Sequence, residues 1–220
     1  ARDKLERNCK KIIRFIRKKE AEIIRRLLGD GTSQTAIIVI GNHPPIIQSM
    51  LDFDFMIGRS EPSIKAIIAG GRKFERYFFG DREIAIPVYA SGRDLFRVAP
   101  WQDRTLFLNV SSGRRVYAST MELLENVPHI EGGVLFAENM PEQHATDLIA
   151  YAKTKNIWII GPASVGVLVP GRLKLGAIAG VDYAQLKSAR AATRGNVAVF
   201  SASGGMTNEL IWNVTKAGHA

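Results

Sequence analysis

The chain has 220 residues, 46% hydrophobic and 23% charged, which is room for one full α/β domain and part of another around a sizeable core. Its net charge is +9, yet residues 1–28 hold 11 Lys/Arg against 4 Asp/Glu, whereas the other 192 residues carry 19 and 17. The basicity therefore belongs to one N-terminal segment, which argues against nucleic acid as a partner of the main domain. No apolar run approaches ~20 residues, so no membrane span is expected. No apolar h-region follows the basic start, so no signal peptide is expected either. One cysteine, Cys9, precludes an internal disulfide and points to a reducing cytoplasm. A first residue Ala1 rather than Met, and a last residue Ala220 inside a helical pattern, suggest a piece of a longer protein.

Residues 1–30 read as a basic amphipathic helix. Leu5, Cys9, Ile12, Ile16, Ile23 and Leu27 share one face, and Lys10, Arg14, Lys18 and Arg25 lie opposite. That pattern suits docking on protein, and equally an anionic membrane surface or nucleic-acid phosphates. After a Gly29–Ser33 linker, Ala36–Ile40 runs apolar without alternation, as in a strand buried on both faces. Gly41-Asn42-His43 breaks the run, and Pro44-Pro45 opens a helix through Leu51. A second strand is predicted at Phe53–Ile57, ending in Gly58-Arg59-Ser60. Arginine there favours a phosphorylated ribose, as in NADP or coenzyme A.

A short helix is predicted from Glu61 to Ile68, then a hairpin of Phe74–Phe79 and Glu83–Val88 turning at Gly80-Asp81. A helical segment to Val98 precedes the strand Thr105–Val110 and a helix to Val127. Strand Gly132–Ala137, helix Glu142–Lys155 and strand Ile157–Ile160 follow, then a hairpin over Gly166–Gly176 and a helix at Tyr183–Thr193. Strand Asn196–Phe200 and helix Met206–Lys216 close the chain. Strict βα alternation predicts a doubly wound parallel sheet, with a second unit beginning after Thr193.

Two loops are built for anions. Ser111-Ser112-Gly113-Arg114-Arg115 precedes a helix, so small residues free backbone N–H groups at its positive end while the arginines add charge. Ser201-Ala202-Ser203-Gly204-Gly205 also precedes a helix and suits one phosphate or carboxylate. Each has a plainer reading, as a helix cap or a turn. His43, His129, His144 and His219 are scattered, so no metal signature is present in the sequence.

The segments GNHPPIIQSMLDFDFMIGRSEPS, LFAENMPE, GPASVGVLVPGRLKLG and FSASGGMTNE occur in this order. Together they resemble the part of the ATP-citrate lyase family related to the alpha subunit of succinyl-CoA synthetase. The resemblance implies a Rossmann-like CoA-binding domain over 31–194 and the start of a second, flavodoxin-like domain over 195–220. It also implies an enzyme that activates citrate with ATP and forms acetyl-CoA and oxaloacetate through citryl-CoA. A subunit making only citryl-CoA or succinyl-CoA is the neighbouring reading, and a regulatory nucleotide-binding module with a nucleic-acid-contacting helix is the rival. By resemblance Gly41, Asn42, His43, Arg59 and Ser60 lie along CoA. Ser112 and Arg114 match the serine and arginine that hold its phosphates, with Ser111, Arg115 and Glu138 beside them. Ser203, Gly204 and Gly205 match the helix end that receives a phosphoryl group. Two departures stand out: Pro44-Pro45 removes N–H donors from the first loop, and Ala202 replaces a usual arginine. The phosphorylated histidine of the family sits in a Gly-His-Ala-Gly-Ala motif expected beyond Ala220, and His219 does not match it. ATP and magnesium are then expected through an ATP-grasp subunit or domain in a hetero- or homo-oligomer, and this chain alone is expected to be inactive.

Overall fold

The computed structural model describes residues 35–98, 104–193, 195 and 197–218. The basic helix predicted over 1–30 and His219 lie outside the described residues. Strand β1 (Ala36–Ile40) is wholly buried, as its unbroken apolar run requires. It is followed by α1 (Pro44–Met56), β2 (Ile64–Ile68) and the hairpin β3 (Phe74–Phe79) and β4 (Arg82–Tyr89). Next come α2 (Gly92–Val98), β5 (Thr105–Asn109), α3 (Val116–Asn126), β6 (Ile130–Leu135), α4 (Glu142–Thr154) and β7 (Trp158–Ile160). A separate hairpin, β8 (Gly166–Val169) and β9 (Leu173–Gly176), leads to α5 (Tyr183–Ser188) and α6 (Gly204–Lys216).

The main sheet has the order β3-β4-β2-β1-β5-β6-β7, parallel except for the edge strand β3. From β1 the chain winds outward through β2 and β4, then returns to β5 and winds the other way. This is a Rossmann-like, doubly wound α/β fold whose direction reverses between β1 and β5. One buried cluster joins Ile38, Phe107 and Leu135 of the sheet to Leu95, Leu123 and Leu148 of α2, α3 and α4. A smaller one packs Phe53 of α1 on Ala179, Leu186 and Ala191.

Two sequence expectations fail at the same place. Residues 53–57 are no strand: α1 runs to Met56, and Ile57 caps it. Asp52 and Asp54 gave the run a false alternation, but Asp54 is buried and continues the helical spacing of Ile46, Ile47, Met50 and Leu51. The second strand is instead Ile64–Ile68, predicted as a helix because so short a run, apolar apart from Lys65, fits either period. A third expectation also fails, since residues 197–200 form no strand. Among the described residues no strand neighbours them to take their backbone hydrogen bonds. Among the described residues no helix is long and apolar enough to cross a membrane.

Candidate functional site

Because the strands from β4 to β7 are parallel, the loops leaving β1, β2, β5, β6 and β7 all gather at the carboxyl edge of the sheet. The loops after β1 and β5 meet at the reversal point. Gly41, at φ +86°, comes so close to Ser111 that an added Cβ would sit 3.1 Å from its amide nitrogen. Gly113 in turn lies against the next loop, where a Cβ would collide with the Glu138 carbonyl oxygen. The β7 loop is tied to the same edge, since Ala163 donates its N–H to the Ala137 carbonyl at 2.9 Å. Beyond it, Val165 packs on Gly204 at the start of α6. A continuous line of loops therefore runs from Gly41 through Ser111–Arg115, Glu138 and Ala163 to Ser203–Gly205.

The β5 loop is shaped by Asn109, a fully buried residue that sequence reading missed. Its Nδ2 donates to Thr120 Oγ1 at 2.8 Å and to Ser119 Oγ at 2.9 Å, and its Oδ1 accepts the Ser111 N–H at 2.9 Å. Strand end and helix start are thus held together through one amide. The signal lay in view, because Asn109 is the single side-chain amide closing the apolar strand Thr105–Val110. The N–H groups of Ser112, Gly113 and Arg114 have no acceptor among the described residues, and the Arg114 and Arg115 side chains are exposed without an ion pair. Free donors and cations at a helix start are the chemistry that an anion would use.

The β1 loop differs. Pro44 and Pro45 have no N–H, while Ile46 and Ile47 both donate to the His43 carbonyl at 3.1 Å. The first turn of α1 therefore offers no free donor. Asn42 is fixed by Tyr77, whose hydroxyl donates to its Oδ1 at 2.9 Å; burial, then the Glu75 charge, pushes that phenol up to about 12. The His43 ring lies edge-on to Phe136, with ring centroids 6.0 Å apart.

Arg59 and Ser60 are not part of this edge. They follow α1 and precede β2, which puts them at the amino end of the sheet. Arg59 is also engaged, pairing through Nε with Asp54 Oδ1 at 3.0 Å and donating to the Arg172 carbonyl at 2.9 Å. Burial raises the Asp54 carboxyl above its ordinary value, and the Ser63 amide at 2.7 Å and the Arg59 charge only partly oppose this. Arg59 is a structural pin between α1 and the β8–β9 turn. The carboxyl end of β2 holds Ala69-Gly70-Gly71-Arg72-Lys73 instead, and Arg72 and Lys73 line a cleft of about 440 Å³ with Phe74, Glu75 and Arg76. Their displacement from the expected position follows from the misplaced strand.

At the far end, Ser203 caps α6, its Oγ accepting the Met206 N–H at 3.4 Å. The Gly204 and Gly205 amides have no acceptor among the described residues, and nothing lies within 4 Å of an added Cβ at Gly205. Close approach of a ligand to this helix end is open.

The doubly wound sheet, with the β5 loop at its reversal point, defines a Rossmann-like α/β fold. No family model matches the chain. It is 39% identical over 181 residues to a probable ATP-citrate synthase subunit 1 of Schizosaccharomyces pombe, covering 81% of this chain and 29% of that protein. It is 41% identical over 192 residues to ATP-citrate synthase beta chain protein 2 of Arabidopsis thaliana, covering 86% and 31%. The solved ATP citrate lyase of Methanothrix soehngenii, a complex with citrate and coenzyme A, superposes with TM-score 0.77 and 32% identity over 83% of this chain and 29% of its own. In sequence and fold the chain is therefore similar to one portion of the ATP-citrate synthases and lyases, and it spans about 29% of the length of the S. pombe relative.

Proposed function

We propose that this chain is the coenzyme A-binding part of an ATP-dependent, citrate-activating enzyme of the ATP-citrate lyase type. The observation that carries the reading is the unbroken line of loops along the carboxyl edge. A phosphorylated ribose fits Arg72 and Lys73 at the end of β2, and the pyrophosphate fits the free amides and guanidiniums of Ser112–Arg115. The pantetheine arm then runs past Glu138 and Ala163 towards Ser203–Gly205, whose free amides would receive a phosphoryl or carboxylate group. Relatives whose solved structures are complexes with coenzyme A and with (3S)-citryl-CoA support the choice of ligand. Residues 31–194 are read as the CoA domain. Exposed Val197, Phe200, Met206, Leu210 and Trp212 support reading 195–220 as the start of a second α/β unit. ATP, an ATP-grasp partner, an oligomeric assembly and a cytoplasmic location complete the proposal.

Calorimetry of the chain with CoA, dephospho-CoA and NADP tests it. CoA should bind, dephospho-CoA about tenfold more weakly, and NADP little, since the α1 start lacks the donors a dinucleotide pyrophosphate needs. Arg72→Ala should remove the preference for CoA over dephospho-CoA. Arg59→Ala should leave that preference intact while costing about 1–3 kcal/mol of stability, because buried Asp54 loses its counter-charge. Equal affinity of the unaltered chain for CoA and dephospho-CoA would overturn the Arg72 assignment, and tight NADP binding would overturn the choice of coenzyme.

A further inference from the structure

Lys174 on β9 is 2% exposed, yet its charge plays no part in the line of loops. Its Nζ donates to the Gly176 carbonyl at 2.6 Å and to Ser49 Oγ on α1 at 3.1 Å, and it has no other acceptor among the described residues. Ser49 has already committed its own hydrogen to the Ile46 carbonyl at 3.0 Å. Two acceptors match the two hydrogens of a neutral amine and leave the third hydrogen of an ammonium without a partner. Elements around the amine are sparing with charge. On α1 the facing charged group is Asp52, whose Oδ1 is shared with Gln48 Nε2 at 2.8 Å; on β8 the residue opposite is Leu168.

This amine seats the β8–β9 hairpin, which in turn carries the start of α6. The Ala179 N–H just after β9 donates to Asn208 Oδ1 at 3.0 Å, and Val165 just before β8 packs on Gly204. We propose that Lys174 is a proton-sensitive latch: as a neutral amine it holds the β8–β9 hairpin on α1, and taking up a proton favours release of the hairpin together with the α6 start. The inference does not depend on which ligand the chain binds.

Burial pulls the amine down from its ordinary 10.5 to about 7, with Asp52 pulling the other way. A released, solvated Lys174 titrates near 10.5. Between about pH 10.5 and pH 7 the released form therefore holds more protons than the docked one, so docking weakens as pH falls through this window. Below about 7 both forms are protonated and the dependence flattens. The released fraction should grow about ninefold from pH 9 to pH 8 and about fivefold from pH 8 to pH 7.

Amide hydrogen exchange across 166–180 and 204–208, corrected for intrinsic rates, reads this directly in the 220-residue chain. Opening of these segments should increase roughly fiftyfold from pH 9 to pH 7, while β1 and β5 change far less. Lys174→Met should abolish the local pH dependence. If that variant fails to fold, titration of the Lys174 Cε resonance in the unaltered chain decides, with a midpoint near 7 expected. A midpoint near 10.5, or the same exchange profile in Lys174→Met, would overturn the latch.

Discussion

The loops after β1 and β5 leave neighbouring, fully buried strands at the same edge and touch through Gly41 and Ser111, yet they are opposites chemically. After β1, two prolines and a shared carbonyl consume every donor of the helix start. After β5, Asn109 takes the Ser111 N–H, and three consecutive amides and two guanidiniums have no partner among the described residues. The fold supplies two equivalent places for an anion, and the side chains decide that only one is equipped. What distinguishes the two loops is therefore their count of free donors, not the topology.

The comparison breaks most severely at Asn109. Asn109→Ala should leave the Ser111 N–H and the Thr120 hydroxyl without their buried partner, at a cost of about 2–4 kcal/mol. In urea unfolding the midpoint should drop with an unchanged slope, and CoA binding should weaken with it. A loss below about 0.5 kcal/mol would mean that the loop holds its shape by other means.

Arg114 separates binding from stability. The side chain is exposed and has no ion pair among the described residues, so Arg114→Ala should leave the melting temperature unchanged. Affinity for CoA should fall roughly ten- to a hundredfold, or about 1.5–3 kcal/mol, the scale of a charge-assisted hydrogen bond. Unchanged affinity in calorimetry would move the phosphates away from the β5 loop.

How much of this was legible follows from what each residue depends on. The buried run Ala36–Ile40, the Gly80-Asp81 turn and the Ser112–Arg114 loop were readable because their signals are local. The two-proline departure was readable for the same reason, since a missing N–H needs no tertiary context. The stretch 53–68 was not. Asp54 between Phe53 and Phe55 suits a strand's alternation as well as a helix, and its burial on α1 is satisfied by tertiary partners, the Ser63 amide and Arg59. That one misreading carried Arg59 to the wrong edge of the sheet and hid Arg72 and Lys73 in a supposed connector. Lys174 was invisible for the same reason, because its partner Ser49 lies 125 residues away. The strand expected at the end of the chain failed in a different way, over residues 197–200. Its pattern is apolar enough, but a strand exists only through neighbours that bond to it.

The smallest expected effect runs in the opposite direction and sharpens the comparison most. If the β1 loop contributes little because its donors are missing, restoring one should improve binding. Pro45 occupies the second position of α1, where an N–H has no intrahelical acceptor and can point at a ligand. Pro45→Ala adds that N–H and keeps a good helix former. The unfolded chain gains conformational freedom, so stability should fall by about 0.4–1 kcal/mol. A net hydrogen bond to a phosphate oxygen is worth roughly 0.5–1.5 kcal/mol, so CoA affinity should rise about two- to tenfold. Combining the change with Arg114→Ala tests whether both loops hold the same pyrophosphate. A gain that persists without Arg114 means that each loop contributes its own donor to the ligand. A gain that disappears means that Arg114 is needed to bring the phosphate within reach of α1. No gain in either background would mean that the ligand never approaches the start of α1, and that the β5 loop carries the anion alone.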